Sequence, residues 1–79
     1  MAIFGREMLG RTVLDRTGAT LGKLIDIHID LNTGGVSELV VQVEAGLDPE
    51  SLPFPSLGSA VAIPAVSVAR VAAQIHLNR

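Results

Sequence analysis

The sequence of 79 residues contains no cysteine, tryptophan or tyrosine, and its aromatic residues are the phenylalanines Phe4 and Phe54. The absence of thiols excludes a disulfide scaffold and a cysteine-ligated zinc site. Hydrophobic residues nevertheless make up 48% of the chain and charged residues only 18%, which is typical of a folded rather than a disordered chain. We therefore expect a core built almost wholly from aliphatic side chains. The length fits a single domain over residues 1–79, with a lead-in segment over residues 1–8.

Charge is also scarce. Six lysine and arginine residues stand against eight aspartate and glutamate residues, for a formal net charge of −2. The cations are scattered and no aromatic platform accompanies them, so nucleic-acid binding is not expected. No apolar run approaches the roughly 18 residues that span a bilayer, and residues 1–10 lack the long apolar stretch of a signal peptide. These features predict a cytoplasmic protein without direct membrane insertion.

Turn residues divide the chain into six short segments that are typical of β-strands. The clearest covers residues 23–31, where isoleucine and leucine alternate with Asp26, His28 and Asp30. A glycine-containing turn then leads into a second clear strand over residues 36–43. The other strands are predicted over residues 11–14, 59–63, 66–71 and 73–77. This pattern indicates an all-β fold, a small six-stranded β-barrel with a long loop over residues 44–58 between the third and fourth strands.

Local signals refine this plan. Residues 15–18 begin with aspartate and end with glycine, which favours a tight turn, and Gly22 marks a bulge at the start of the next strand. Asp48, followed by proline, predicts a capped helical turn within the long loop. Phe4 and Met8 are four residues apart, so one helical turn would present both on the same face.

The register of the central hairpin follows from pairing inward residues with inward residues. Three pairs satisfy this rule: Ile25 with Val43, Ile27 with Val41, and Ile29 with Leu39. On the outer face the same register places Asp30 opposite Glu38 and His28 opposite Val40. The expected barrel interior comprises Ile25, Ile27, Ile29, Leu31, Leu39, Val41, Val43, Val61, Ile63, Val68, Ile75 and Leu77.

Asp26, His28 and Asp30 form the polar cluster that is the best candidate for a chemical role. Alternate residues of a strand share a face, and the predicted register adds Glu38 to that face. Three interpretations are open: a solvated polar strand face, an acidic patch for a basic partner, and a metal site. A flat exposed face offers no groups to orient metal ligands, which argues against the metal. No metal, cofactor or catalytic residue is expected, and we predict no enzymatic activity, because the serines lack a nucleophile motif and a barrel this small fills its interior.

Several apolar residues do not fit the inward pattern. Val36 and Val40 fall on the outer strand face, Phe4 precedes the first strand, and Phe54 lies in the long loop. Either the phenylalanine rings plug the ends of the barrel, or these residues join into a protein–protein patch. Together with Glu38, the candidate partner-binding residues are Phe4, Val36, Glu38, Val40 and Phe54.

Three stretches of the chain together resemble the PRC-barrel family. Residues 9–30, with LGRTVLDRTG and LGKLIDIHID, resemble the opening of that domain, and residues 31–41 resemble its central hairpin. Residues 62–77 are similar to its closing strands, where an Ile-Pro step (Ile63-Pro64) precedes a short turn. The resemblance extends from about residue 6 to residue 77 and implies a six-stranded PRC-type β-barrel.

The lead-in over residues 3–10 and the Leu52-Pro53 step resemble the stand-alone archaeal members, which include CdpB-type cell-division proteins that associate with SepF, the membrane anchor of FtsZ. The resemblance implies a self-associating adaptor, a homodimer in the cytoplasm at the division site. Its partner would be a SepF-like division protein or a PRC-barrel paralogue. Two alternatives stay open: a RimM-like, RNA-associated ribosome-maturation module, and a metal-binding protein centred on Asp26, His28 and Asp30.

Overall fold

The structure, a computed structural model, describes residues 5–79. One helical turn, α1 (Gly5–Met8), precedes strands joined by turns and two short 3₁₀ turns, Pro49–Ser51 and Ala65–Ser67. The described residues form seven strands: β1 (Thr12–Leu14), β2 (Thr20–Ile29), β3 (Val36–Val43), β4 (Ser56–Leu57), β5 (Ala60–Pro64), β6 (Val68–Val71) and β7 (Ile75–Leu77).

All of these strands belong to one mixed sheet with the order β4-β5-β3-β2-β1-β7-β6. β1 and β7 run parallel, whereas the other neighbouring pairs are antiparallel. Over residues 5–79, β4 and β6 are the sheet edges, so the sheet is not closed by hydrogen bonds. The predicted all-β class is confirmed, but the described residues contain seven strands rather than six.

Residues 44–58, which were predicted as a long loop, contain a 3₁₀ turn and a short strand. Asp48 accepts a hydrogen bond from the backbone N–H of Glu50 and so caps the turn Pro49–Ser51, as predicted. Ser56–Leu57 then forms the additional strand, β4, by folding back antiparallel onto β5. Between these two elements Phe54 turns inward and is only 7% exposed.

Asp15 organises the turn between β1 and β2. Its carbonyl accepts from the N–H of Gly18 at 3.0 Å, and Gly18 adopts the positive φ of 87° that glycine tolerates. Its carboxylate accepts from the hydroxyl and N–H of Thr17 and from the N–H of Ala19. These hydrogen bonds, that of the Thr17 hydroxyl most of all, hold the pKa of Asp15 below its ordinary value.

The pairing of β2 with β3 contains one extra residue at Ile25. Leu24 lies opposite Val41, and the next paired residue of β2, Asp26, lies opposite Val40. An extra residue of this kind changes which side chains face the core beyond it. Leu24 is consequently 1% exposed, whereas Ile25 is 49% exposed.

The hairpin register predicted from alternation is therefore wrong. Ile27 lies opposite Leu39 and Ile29 opposite Val36, with a second register shift after His28. The predicted register lacked both shifts, and it was displaced even before Ile25, since Val43 lies opposite Gly22 rather than opposite Ile25.

The core confirms most of the predicted interior outside residues 23–31. The buried residues that were predicted are Leu39, Val41, Val43, Val61, Ile63, Ile75 and Leu77. Ile27 and Val68 are partly buried against them. Ile25, Ile29 and Leu31 are exposed instead, and their places are taken by Val13, Leu21, Leu24 and Phe54.

Gly22 lies where three strands come closest. It pairs with Val13 of β1 and with Val43 of β3, and the register against β1 shifts at this point, after Val13. A Cβ atom at Gly22 would lie 1.9 Å from the backbone carbonyl oxygen of Gln42. The glycine is thus required by close backbone approach rather than by its φ angle.

The substitution Gly22→Ala is expected to lower the free energy of unfolding by more than about 2 kcal/mol, because a backbone carbonyl must move to admit the methyl group. The matched control is Gly35→Ala in the hairpin loop, where the nearest atom to the added Cβ is the Thr33 side-chain oxygen at 3.4 Å. Urea unfolding measures both variants. Equal effects of the two substitutions would contradict the close approach at Gly22.

The position of the extra residue is tested by truncating its two neighbours in turn. Leu24→Ala should cost about 2–5 kcal/mol of unfolding free energy, because it empties a fully buried site. Ile25→Ala should cost less than about 1 kcal/mol, because half of its side chain is already in water. A larger loss at Ile25 than at Leu24 in urea unfolding would restore the register predicted from strict alternation.

Candidate interaction surface

An apolar groove lies between α1, β2, β3 and the edge strand β6. Its volume is about 200 Å³. We call it the inner groove, and the residues that line it are Met8, Ile27, Val36, Leu39, Ala65, Val68 and Val71. Leu39 belongs to the core cluster, and Met8, Ile27 and Val68 pack against that cluster. The groove is therefore an opening that leads directly onto the hydrophobic core.

The inner groove continues into a wider and shallower depression, which we call the outer shelf. Its lining residues are Gly5, Met8, Leu9, Asp26, Ile27, Ile29 and Val36. Met8, Ile27 and Val36 belong to both depressions, so the two form one continuous surface. The shelf differs from the groove in including a carboxylate, that of Asp26.

Several aliphatic side chains of the outer shelf and the neighbouring hairpin tip are exposed to solvent. Ile29 is 57% exposed and Val36 46% exposed, and the two lie directly opposite each other on β2 and β3. Leu9 is also about half exposed. Leu31, two residues after Ile29 at the tip of the hairpin, is 95% exposed. Contiguous exposed aliphatic side chains of this kind mark interaction sites more often than single exposed residues do.

The tip of the hairpin is held in place by its own backbone. The N–H of Asp30 donates to the carbonyl of Gly35 at 2.8 Å, and the N–H of Gly34 donates to the carbonyl of Asp30 at 2.7 Å. Gly34 has a φ of 75°, as expected for glycine in such a turn. Leu31 is thus presented to solvent by a closed turn.

The side chains of His28 and Glu38 contact each other on neighbouring strands. The two residues lie opposite each other, and the distance from His28 Nδ1 to Glu38 Oε1 is 3.2 Å. The prediction that Glu38 lies opposite Asp30 is therefore wrong, because the pairing of the hairpin is displaced by two residues at this point. Both side chains are more than one third exposed, so the pair contributes little to stability.

The other carboxylates of the predicted polar cluster serve the local backbone. Asp26 Oδ1 accepts from the N–H of Ile27 at 2.7 Å, and Asp30 Oδ1 accepts from the N–H of Asn32 at 2.8 Å. In the part of the chain that the structure describes, no group of three or more histidine, aspartate or glutamate side chains is placed to hold a metal ion.

The predicted partner-binding residues occupy very different positions. Val36 lines both depressions. The prediction that Val40 faces solvent is wrong, because β3 lies between β2 and β5, where Val40 is flanked by Asp26 and Ala62 and is 7% exposed. As a partner contact Val40 stays a prediction, but its burial gives a partner little side chain to bind.

The two phenylalanines were predicted either to plug the barrel or to contact a partner. Phe54 belongs to the core cluster, with the guanidinium of Arg79 6.0 Å from the centre of its ring. Its burial supports the plugging interpretation. Phe4 lies outside the described residues, so its part in a partner site stays a prediction.

Sequence reasoning missed Ile29 and Leu31 as surface residues, because strict alternation assigned them to the interior. One signal was available. Leu24 and Ile25 are adjacent aliphatic residues, and such a pair breaks the alternation at the point where the extra residue lies. Moving the inward position to Leu24 leaves Ile25 facing outward. Ile29 and Leu31 are exposed because they lie at the end of β2 and beyond it, for which alternation gives no signal.

The all-β fold of the described residues agrees with the family resemblance of the sequence. The family model described as PRC-barrel domain matches residues 1–77, and the chain belongs to this family. Comparison with curated proteins gave no match. Over residues 5–79, no helix has the length and apolar character to cross a membrane.

Proposed function

We propose that this PRC-barrel protein is a non-enzymatic interaction module, a self-associating adaptor of an archaeal cell-division machinery based on FtsZ and SepF. The observation that carries the proposal is the set of exposed aliphatic side chains on the outer shelf and at the tip of the hairpin. Ile29, Leu31 and Val36 are its most prominent residues, each about half exposed or more.

Burial energetics support the choice of this surface. Removing one aliphatic side chain from water contributes about 1.5–3 kcal/mol, so a few residues on each of two copies offset much of the entropic cost of association. A domain of 79 residues has little apolar surface to leave unused. The occupant that we assign to the surface is a second copy of the chain.

Electrostatics do not oppose such a dimer. The formal net charge is only −2, so two copies repel each other weakly. Among the described residues that line the shelf, Asp26 is the one that carries a charge, and it is exposed. His28 and Glu38 contact each other and are not among the residues that line the groove or the shelf.

The cell-division assignment is supported by the resemblance of residues 3–10 and of the Leu52-Pro53 step to the stand-alone archaeal members. The adaptor would bind a SepF-like division protein or a PRC-barrel paralogue, in the cytoplasm at the division site. Glu38, an exposed carboxylate beside the hairpin, is the candidate polar contact for that partner.

Self-association is tested by Ile29→Asp, which places a charge on the outer shelf. We expect the dimer dissociation constant to rise at least about tenfold, because the carboxylate would be desolvated in the interface. The matched control is Leu57→Asp on β4, where the native side chain is 51% exposed but lies away from the shelf. Sedimentation equilibrium measures the dissociation constants, and circular dichroism confirms that each variant is folded. A wild-type protein that is monomeric at all attainable concentrations would refute self-association.

Partner binding is tested with purified SepF from the same organism, immobilised and offered the wild-type protein, Glu38→Gln and Leu57→Asp. We expect retention of the wild type and of Leu57→Asp, and weaker retention of Glu38→Gln. No retention of the wild type would exclude SepF as the partner. Co-sedimentation with ribosomal particles at low salt would instead favour the RimM-like alternative.

A further inference from the structure

α1 is too short to be stable on its own. It has four residues, none of them buried, whereas isolated helices shorter than about 12 residues are marginal in water. Its last residue, Met8, packs against the core cluster. The position of α1 on the sheet therefore depends on the contacts that it makes with the rest of the chain.

Arg11 makes two contacts with its side chain that bear on this position. Its Nε donates to the carbonyl oxygen of Glu7 in α1 at 3.1 Å, and its Nη1 donates to the carbonyl oxygen of Ala72 at 2.6 Å. Ala72 lies in the turn between β6 and β7. A single guanidinium thus joins α1 to a turn that lies 61 residues beyond Arg11 in the chain.

The backbone around Arg11 is itself fixed to β2. The N–H of Gly10 donates to the carbonyl of Leu24 at 2.7 Å, and the N–H of Leu24 donates to the carbonyl of Arg11 at 3.0 Å. Leu24 is a core residue. The side chain of Arg11 therefore projects from backbone that is anchored beside the core.

Both segments that Arg11 joins carry residues of the apolar surface. Met8 and the adjoining Leu9 line the outer shelf, and Val71, next to Ala72, lines the inner groove. Arg11 is half-buried and is not among the residues that line either depression. Its influence on this surface is therefore exerted through the residues that it holds.

We propose that Arg11 is a positioning residue for self-association, which fixes Met8 and Leu9 relative to the rest of the shelf before a second copy binds. The inference rests on the proposed function and adds the residue that prepares its surface. Ordering side chains in advance lowers the entropic cost of association. Arginine suits this role because Nε and Nη1 reach two carbonyls from one planar group, whereas lysine offers a single nitrogen on a flexible stem.

Hydrogen exchange tests the positioning within one molecule, on the Ile29→Asp background that disfavours the dimer. The amide of residue 11 donates to the carbonyl of Met8 at 3.0 Å. In Arg11→Ala its protection factor should fall at least about tenfold, because α1 opens more often. The amide of Glu44, which donates to the carbonyl of Leu21, should keep its protection.

Sedimentation equilibrium on the otherwise wild-type chain measures the consequence for association. Arg11→Ala and Arg11→Lys should each raise the dimer dissociation constant at least about fivefold, because the charge alone does not restore both hydrogen bonds. Arg16→Ala is the matched control, at an exposed arginine that lines neither depression, and it should leave the dissociation constant unchanged.

The two measurements separate this inference from the proposed function. An unchanged protection factor in Arg11→Ala would overturn the role of Arg11, and so would full affinity in Arg11→Lys. A lower protection factor with an unchanged dissociation constant would overturn it as well, but would leave self-association standing. A wild-type protein that does not dimerise would refute the proposed function and, with it, any role of Arg11 in association.

Discussion

The pairing of β2 with β3 is the interaction on which the rest of the sheet depends, because the other strands extend the sheet outward from these two. β1 hydrogen-bonds to the free side of β2, and β7 and β6 follow it, while β5 and then β4 extend the sheet from β3. Gly22 sets how closely the two central strands approach, because the backbone of Gln42 fills the space that a side chain would need. A change in the register of this pair would therefore alter the faces that every outer strand packs against.

The extra residue at Ile25 decides which part of this central pair becomes core and which becomes surface. Before it, Leu24 is buried against the interior; beyond it, Ile27 is half-buried and Ile29 lies on the shelf opposite Val36. Because of the extra residue, the next residue of β2 that packs against the core after Leu24 is Ile27, three positions further on. Ile29, the last residue of the strand, is 57% exposed and supplies part of the apolar surface on which the proposed function rests.

Features that depend on a few neighbouring residues were predictable from the sequence. The Asp15 turn, the Asp48 cap and the bounds of β3 follow from local hydrogen bonding and alternation, which hardly depend on the rest of the fold. The register of the hairpin did not follow in this way, because alternation over residues 23–31 is compatible with more than one pairing. It is the packing of Leu24 against the core that selects among those pairings.

The candidate surface was predictable only in part, for a related reason. Val36 was singled out because it fell outside the inward pattern, and it does line the groove. Val40 fell outside the same pattern but is buried between neighbours on β2 and β5. The exposure of a strand residue depends on which elements flank it, and that order of strands is a tertiary property that periodicity does not contain.

Composition accounts for how this domain would recognise other molecules. Its charges are few, and Asp26, Asp30 and Glu38 on the hairpin contact the local backbone or His28, so they provide little long-range attraction for a charged ligand. The distinguishing feature of the surface is a set of exposed aliphatic side chains beside the apolar inner groove. Recognition by such a surface depends on fit and on the removal of water rather than on charge, which favours a partner that presents aliphatic side chains of its own.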